Sequence, residues 1–173
     1  MPRRGHPCRY GNLLMPPQPT PSDFDARTNA VFDAVMWAMA RPGLPRTLPD
    51  AGLGQILEAL IDRECAVYSD SPELTDMATK AGAAIVEIQN ADHLFLRQFS
   101  DAGILRRISL GSDLYPETGT TLVTEADFGS GDPIRLSGPG IDGSLDVNIG
   151  SLPSGFWTER RSVMRYPMGF ELI

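Results

Sequence analysis

The chain's 173 residues, 42% hydrophobic and 21% charged, set it among single compact domains able to bury about 70% of their unfolded surface, and exclude disorder throughout. Lysine and arginine total 15 against 22 aspartates and glutamates, a formal charge of -7; without a general basic field to hold a phosphate backbone, nucleic acid is excluded as a main partner. Two cysteines, Cys8 and Cys65, make no disulfide framework and point to a reducing cytoplasmic setting; no apolar run approaches the 18 or so residues of a membrane helix and no signal-peptide core opens the chain, so a soluble, unexported protein is expected.

Residues 1-21 hold Pro2, Pro7, Pro16, Pro17, Pro19 and Pro21, a density that prevents regular hydrogen bonding and predicts a flexible leader. Arg3, Arg4 and Arg9 in this stretch lack the amphipathic period of a targeting helix. A single domain is expected over 22-173. Ser22 caps a helix with Asp25 in its first turn, and Phe24, Thr28, Val31, Phe32, Val35, Met36 and Met39 share one face, which predicts a core-facing stripe. Arg41-Pro42-Gly43 stops it. A second helix after Asp50 presents Leu53, Ile56, Leu57, Leu60 and Ile61, and Cys65 to Tyr68 fits a buried strand. Ser71-Pro72 opens a third helix that Gly82 ends, and Ala83 to Ile88 reads as a strand.

Asp92 to Phe99 fits either strand or helix, and 102-109 fits a short helix. Thr120 to Thr124 and Pro133 to Ser137 read as paired strands, with Gly129-Ser130-Gly131-Asp132 as their hairpin connection. Leu145 to Ile149 is a further strand, Phe156 to Arg165 a helix, and Phe170 to Ile173 a last strand. Helices interleaved with short apolar strands predict an α/β sandwich around a mixed sheet.

Catalytic constellations are scarce. His6 and His93 are the two histidines, and no C-x-x-C, H-x-x-x-H or H-E-x-x-H spacing supplies a metal site. Asp92 beside His93 offers a possible general base, but no G-x-S-x-G elbow places a nucleophile near it. Gly129 to Asp132 and Ser137-Gly138-Pro139-Gly140 fit neither phosphate-loop pattern and read as turns, since Pro139 has no N-H to offer an anion while Gly138 and Gly140 can take positive φ. Lys80 is the single lysine beside fourteen arginines; it sits at a helix C-terminus, where a solvated cation is favoured, so Schiff-base cofactor chemistry is not expected. Arg160, Arg161 and Arg165 form a local cationic cluster, in which Arg161 and Arg165, one turn apart, could clamp a phosphate or a partner's carboxylates.

Four segments, taken together, resemble the PhnH family of the bacterial carbon-phosphorus lyase system. They are Phe32 with Ala38-Met39-Ala40-Arg41-Pro42-Gly43, Tyr115-Pro116-Glu117-Thr118-Gly119-Thr120-Thr121-Leu122, Leu136-Ser137-Gly138-Pro139-Gly140-Ile141, and Tyr166-Pro167-Met168-Gly169-Phe170-Glu171-Leu172-Ile173. The resemblance implies a three-layer α/β fold similar to pyridoxal-phosphate-dependent transferases without the cofactor. It implies a cytoplasmic, homodimeric, non-catalytic subunit that joins PhnG, PhnI and PhnJ. That assembly, both transferase and lyase in its chemistry, couples a phosphonate to the ribose C1 of ATP and later cleaves the carbon-phosphorus bond by radical chemistry, whose iron-sulfur thiolates would reside on another subunit.

The family-pattern positions are Arg41, Pro42, Gly43, Tyr115, Pro116, Glu117, Gly119, Ser137, Gly138, Pro139, Gly140, Pro167 and Gly169. Their expected role is to shape contact surfaces, with Tyr115 and Glu117 best able to make polar contacts. The resemblance leaves out the leader, with Met15 an alternative start, and implies a further strand or hairpin beyond Ile173, so an edge completed differently or left open to another chain is expected. Two other readings stand beside it. One is an independent small enzyme using Asp92, His93 and Glu117 as acid-base groups on a phosphorylated substrate held by Arg161 and Arg165. The other is a self-contained ligand-binding homodimer with a deep apolar pocket.

Overall fold

The computed structural model describes residues 19-173. The expected leader therefore lies almost wholly outside the described residues, as do His6, Cys8 and Met15. Helix α1 spans Asp23–Ala40, and its start is the reciprocal cap written in the sequence: the Ser22 side chain accepts the Asp25 N-H at 3.2 Å while the Asp25 carboxylate accepts the Ser22 N-H at 2.9 Å. The Ser22 hydroxyl also donates to that carboxylate and holds its pKa below the usual aspartate value. Helix α2 is Leu53–Leu60, β1 Ala66–Ser69, α3 Pro72–Ala81 and β2 Ala84–Ile85. Ser71 caps α3 ahead of Pro72, and Gly82 closes it in the left-handed region at φ 92°.

The segment 92-99, open between helix and strand in sequence, is strand β3, His93–Leu96, followed by a 3-10 turn at Ala102–Arg106. Strand β4 is Thr121–Thr124, β5 Asp127–Leu136, β6 Leu145–Gly150, helix α4 Phe156–Val163 and strand β7 Glu171–Leu172. Five strands form one sheet in the order β2-β1-β3-β4-β7, every pair parallel, while β5 and β6 pair antiparallel in a sheet of their own. The expected single mixed sheet is thus corrected to a parallel sheet plus a separate hairpin. The hairpin itself is also corrected. Thr121–Thr124 pairs with β3 and β7, the register shift between Phe128 and Pro133 makes 129-132 a bulge within β5, and the connection runs through 137-144. The second strand is two residues long because the chain turns into a 3-10 segment at Ile88–Asn90.

Alternation along the central strands fills two cores, one on each side of the sheet. Val67, Phe95 and Val123 pack with α1, α2 and α3 on one face; Leu94, Leu96 and Leu122 pack with Leu105 and Phe156 of the opposite layer. An ion pair joins two elements within each layer, Arg27 to Glu58 between α1 and α2 at 3.2 Å and a two-pronged Arg106 to Glu159 pair between the 102-106 turn and α4.

The core-facing stripe expected of α1 is half right. Val31, Ala34 and Val35 are buried, but Phe24, Phe32, Met36 and Met39 stay 50%, 47%, 49% and 40% exposed. The helix lies on α2 through the narrow line of Val31 and Val35, and Met39 lines the groove described below.

Candidate functional site

The four family-like segments meet in two pairs. In the first, the turn after α1 packs under the β5-β6 hairpin. Gly43 has φ +85°, and a Cβ there would come to 2.8 Å from Leu145 and 2.9 Å from Leu136; Gly140, at φ +82°, faces the Ala40 carbonyl so closely that a side chain would overlap it. Ser137, Gly138 and Pro139 are exposed on the hairpin loop, where the Ile141 N-H donates to the Gly138 carbonyl at 3.2 Å. Arg41 lies 4.8 Å and Arg46 3.6 Å from the centre of the Trp37 ring, two guanidinium groups on one indole.

In the second pair, 115-122 runs beside 166-173. A Cβ on Gly119 would collide with the Gly169 carbonyl, the Gly169 N-H donates to Leu110 at 2.9 Å, and the two segments continue as β4 and β7 with Thr121 opposite Glu171 and Leu122 opposite Leu172. Gly119 itself has an ordinary φ of -67°, so it is glycine for closeness of approach rather than for backbone freedom. Just before β4, Thr120 is fully buried and donates its hydroxyl to the Ala91 carbonyl at 2.8 Å. Pro116 opens a 3-10 turn whose Glu117 side chain is exposed, Tyr115 is 60% exposed, and Pro167 is exposed on the approach to β7.

Both pairs border an apolar groove of about 570 Å³. Pro42, Gly43 and Leu136 from the first pair and Phe170 to Ile173 from the second line it, with Trp157 and Arg160 of α4 completing the wall. Arg160 is half-buried with its guanidinium 5.6 Å from the Phe170 ring centre, and burial pulls its pKa below the usual arginine value. Sequence reading grouped Arg160 with Arg161 and Arg165 and missed its separate place. Consecutive helical positions point about 100° apart, so Arg161 is left in solvent, and α4 stops at Val163 before Arg165 can continue the turn. Arg165 contacts Asp113 at 3.2 Å, and Arg161 and Arg165 are both exposed.

Within the acid-base grouping, Asp92 has a backbone partner. One Asp92 oxygen accepts the Ala66 N-H at 2.9 Å, so this carboxylate ties β1 to β3 rather than orienting His93. His93 is half-buried with its Nδ1 enclosed and without a partner; burial lowers its pKa, opposed by the charges of Asp92, Glu171 and Asp62, and Glu117 is not among them. A doubly wound sheet offers its anion site where crossovers diverge, here outside the C-terminal ends of β1 and β3. That place is taken by the chain's own Asp70, whose carboxylate accepts the N-H groups of Arg97 and Gln98 at 2.8 Å each. Among the described residues no cluster of three His, Cys, Asp or Glu side chains could hold a metal ion, and no helix is long and apolar enough to cross a membrane.

Comparison with known proteins converges on the resemblance read from the four segments. The model of the bacterial phosphonate metabolism protein family, PhnH, matches residues 22–173. A C-P lyase subunit protein, HtxG, of Stutzerimonas stutzeri is 28% identical over 155 residues, covering 85% of this chain and 77% of that protein. The alpha-D-ribose 1-methylphosphonate 5-triphosphate synthase subunit PhnH of Rhizobium meliloti (strain 1021) is 28% identical over 170 residues, covering 87% of this chain and 82% of the relative. With the family match running from the cap of α1 through the last strand, the chain belongs to the PhnH family.

Proposed function

We propose that this chain is a non-catalytic subunit of the carbon-phosphorus lyase system, supporting transfer of a phosphonate to the ribose C1 of ATP as one member of a cytoplasmic assembly with PhnG, PhnI and PhnJ. The observation that carries the reading is the family match over 22–173 together with two relatives that are themselves named as subunits. In this reading 22-173 acts as one unit, and its layered α/β architecture, with helices on both sides of a parallel sheet, is the basis of a likeness to pyridoxal-phosphate-dependent transferases without their cofactor. The family-pattern residues serve as contact-shaping positions: Gly119 and Gly140 allow close backbone approach, Gly43 and Gly169 leave room for neighbouring Leu and Met side chains, while Arg41, Tyr115, Glu117 and the Ser137-Gly138-Pro139 loop present themselves to partners. The chain also pairs with a second copy of itself, and support for a self-contact is the uncovered face of α1 with Phe24, Phe32 and Met36 about half exposed.

The competing acid-base enzyme requires Asp92, His93 and Glu117 to act on one substrate, and it is weakened by the engagement of Asp92 with Ala66 and of Arg165 with Asp113. Deleting the chain from its own bacterium separates the two. Growth on a phosphonate as the sole phosphorus source should be lost while growth on inorganic phosphate is kept, and a His93→Gln copy should restore it fully. Undiminished growth on every phosphonate offered would overturn the assignment to phosphonate catabolism. Failure of a well-folded His93→Gln copy to restore growth would favour the acid-base enzyme.

A further inference from the structure

The most exposed large apolar side chains among the described residues occupy two adjoining turns. Tyr166 is 97% exposed, Leu114 83% and Tyr115 60%. Asp113 and Arg165, the residues just before Leu114 and Tyr166, meet at 3.2 Å, and this ion pair sets the 112-115 turn beside the 165-168 turn on one surface. Single exposed apolar residues are ordinary, whereas several gathered on neighbouring turns mark a contact surface. We infer that Leu114, Tyr115 and Tyr166 are anchors that this chain inserts into an apolar, basic-rimmed pocket of another subunit of its assembly, a deepening that rests on the subunit reading.

The backbone holds the anchors in place before any partner arrives. The Ser112 N-H donates to the Tyr115 carbonyl at 3.1 Å, and the Tyr115 N-H donates back to the Ser112 carbonyl at 3.2 Å and to the Ser112 hydroxyl at 3.0 Å. The Thr118 hydroxyl donates to the same Tyr115 carbonyl at 2.8 Å. In the facing turn the Arg165 N-H donates to the Met168 carbonyl at 3.3 Å, and the Gly169 N-H reaches across to Leu110 at 2.9 Å. Turns fixed in this way lose little freedom on binding, and tyrosine buries a large area for few side-chain torsions, so the ordering cost of association is small.

Shape and charge select the occupant. The three side chains project into solvent, which suits a pocket on a partner; a small molecule needs a cavity in this chain. Asp113 neutralises Arg165, whereas Glu117, exposed two residues beyond Tyr115, enters no ion pair among the described residues. On a chain of net charge -7, that carboxylate opposes an anionic lipid surface or nucleic acid and calls for a cation on the partner. A symmetric contact of the patch with its own copy would bring two Glu117 carboxylates to one interface. The turns also belong to the layer away from α1: Leu110 and Met164 pack on the core of Leu94 and Leu122, while Val31 and Val35 of α1 pack on the other. The α1 face is thus left for self-contact and this patch for a different polypeptide.

The test uses the full chain co-expressed with PhnG, PhnI and PhnJ and purified through a tag on this chain. A photoreactive benzoyl-phenylalanine in place of Tyr166 should, on irradiation, cross-link this chain to one of the other subunits. A Leu114→Ser, Tyr166→Ser double variant should lower recovery of the other subunits by roughly tenfold or more, with its thermal unfolding midpoint unchanged because both side chains are already in solvent. Should the double variant prove less stable, the cross-link decides. Glu117→Lys should lower recovery further than Glu117→Gln, and the reverse order would overturn the basic rim. Cross-links confined to this chain or its second copy, or unchanged recovery by the double variant, would overturn the patch and leave the subunit reading standing. A natural chain that recovers none of the other subunits would overturn the subunit reading and the patch with it.

Discussion

His93 shows how an individual residue can be legible in type but not in role. The sequence places it after Asp92, where an imidazole-carboxylate pair is the natural reading, but the neighbouring N-H of Ala66 takes the carboxylate. What remains is an imidazole whose burial favours its neutral form and lowers its pKa from 6.5. The unfolded chain therefore binds this proton first as pH falls, so the contribution of His93 to stability is present above the unfolded value and is lost as pH drops through the lower folded value. Urea unfolding at about pH 7 and pH 5 should show a larger loss for the natural chain than for His93→Gln; equal losses would contradict this assignment. Arg160 was legible only as part of a basic run. Its helical phase and the end of α4 at Val163, both tertiary matters, separate it from Arg161 and Arg165.

At the scale of elements, caps and stops were the readable features. Ser22 with Asp25, Ser71 with Pro72, and Gly82 all sit where the local chemistry put them, because a cap is decided within four residues. Pairing is decided across the whole chain and is not legible in a local window. The run from Thr120 to Ser137 alternates like one hairpin, yet β4 is taken into the parallel sheet by its neighbours β3 and β7 while β5 pairs onward with β6. The α1 stripe is only half buried for a related reason: periodicity marks an apolar face but not how much of it a neighbour covers. Gly119 marks the crossing of the second segment pair, and Gly119→Ala should test it. Its φ is ordinary, so any loss comes from pushing β4 and the 166-173 segment apart, about 1 to 3 kcal/mol by analogy with overpacked sites. Thermal or urea unfolding checks the value, and a neutral substitution would mean that the Gly169 carbonyl can give way without cost.

The described residues combine a parallel sheet, with an apolar core on each face, and a separate antiparallel hairpin. The two cores are built from residues the periodicity marked as apolar, so the α/β class was legible; the groove was not, because it arises where α1, α4, the hairpin and β7 meet, and no stretch of sequence contains that meeting. Three of the four family-like segments nevertheless border it, Pro42 and Gly43 being the family-pattern positions that line it. The central claim is that this chain is a subunit. Co-expression of the chain with PhnG, PhnI and PhnJ of the same bacterium, followed by affinity purification through a tag on this chain and mass determination of the intact product, tests it most directly. The expected result is recovery of all four proteins in fixed stoichiometry with this chain present in two copies. A homodimer or monomer free of the other three would contradict it.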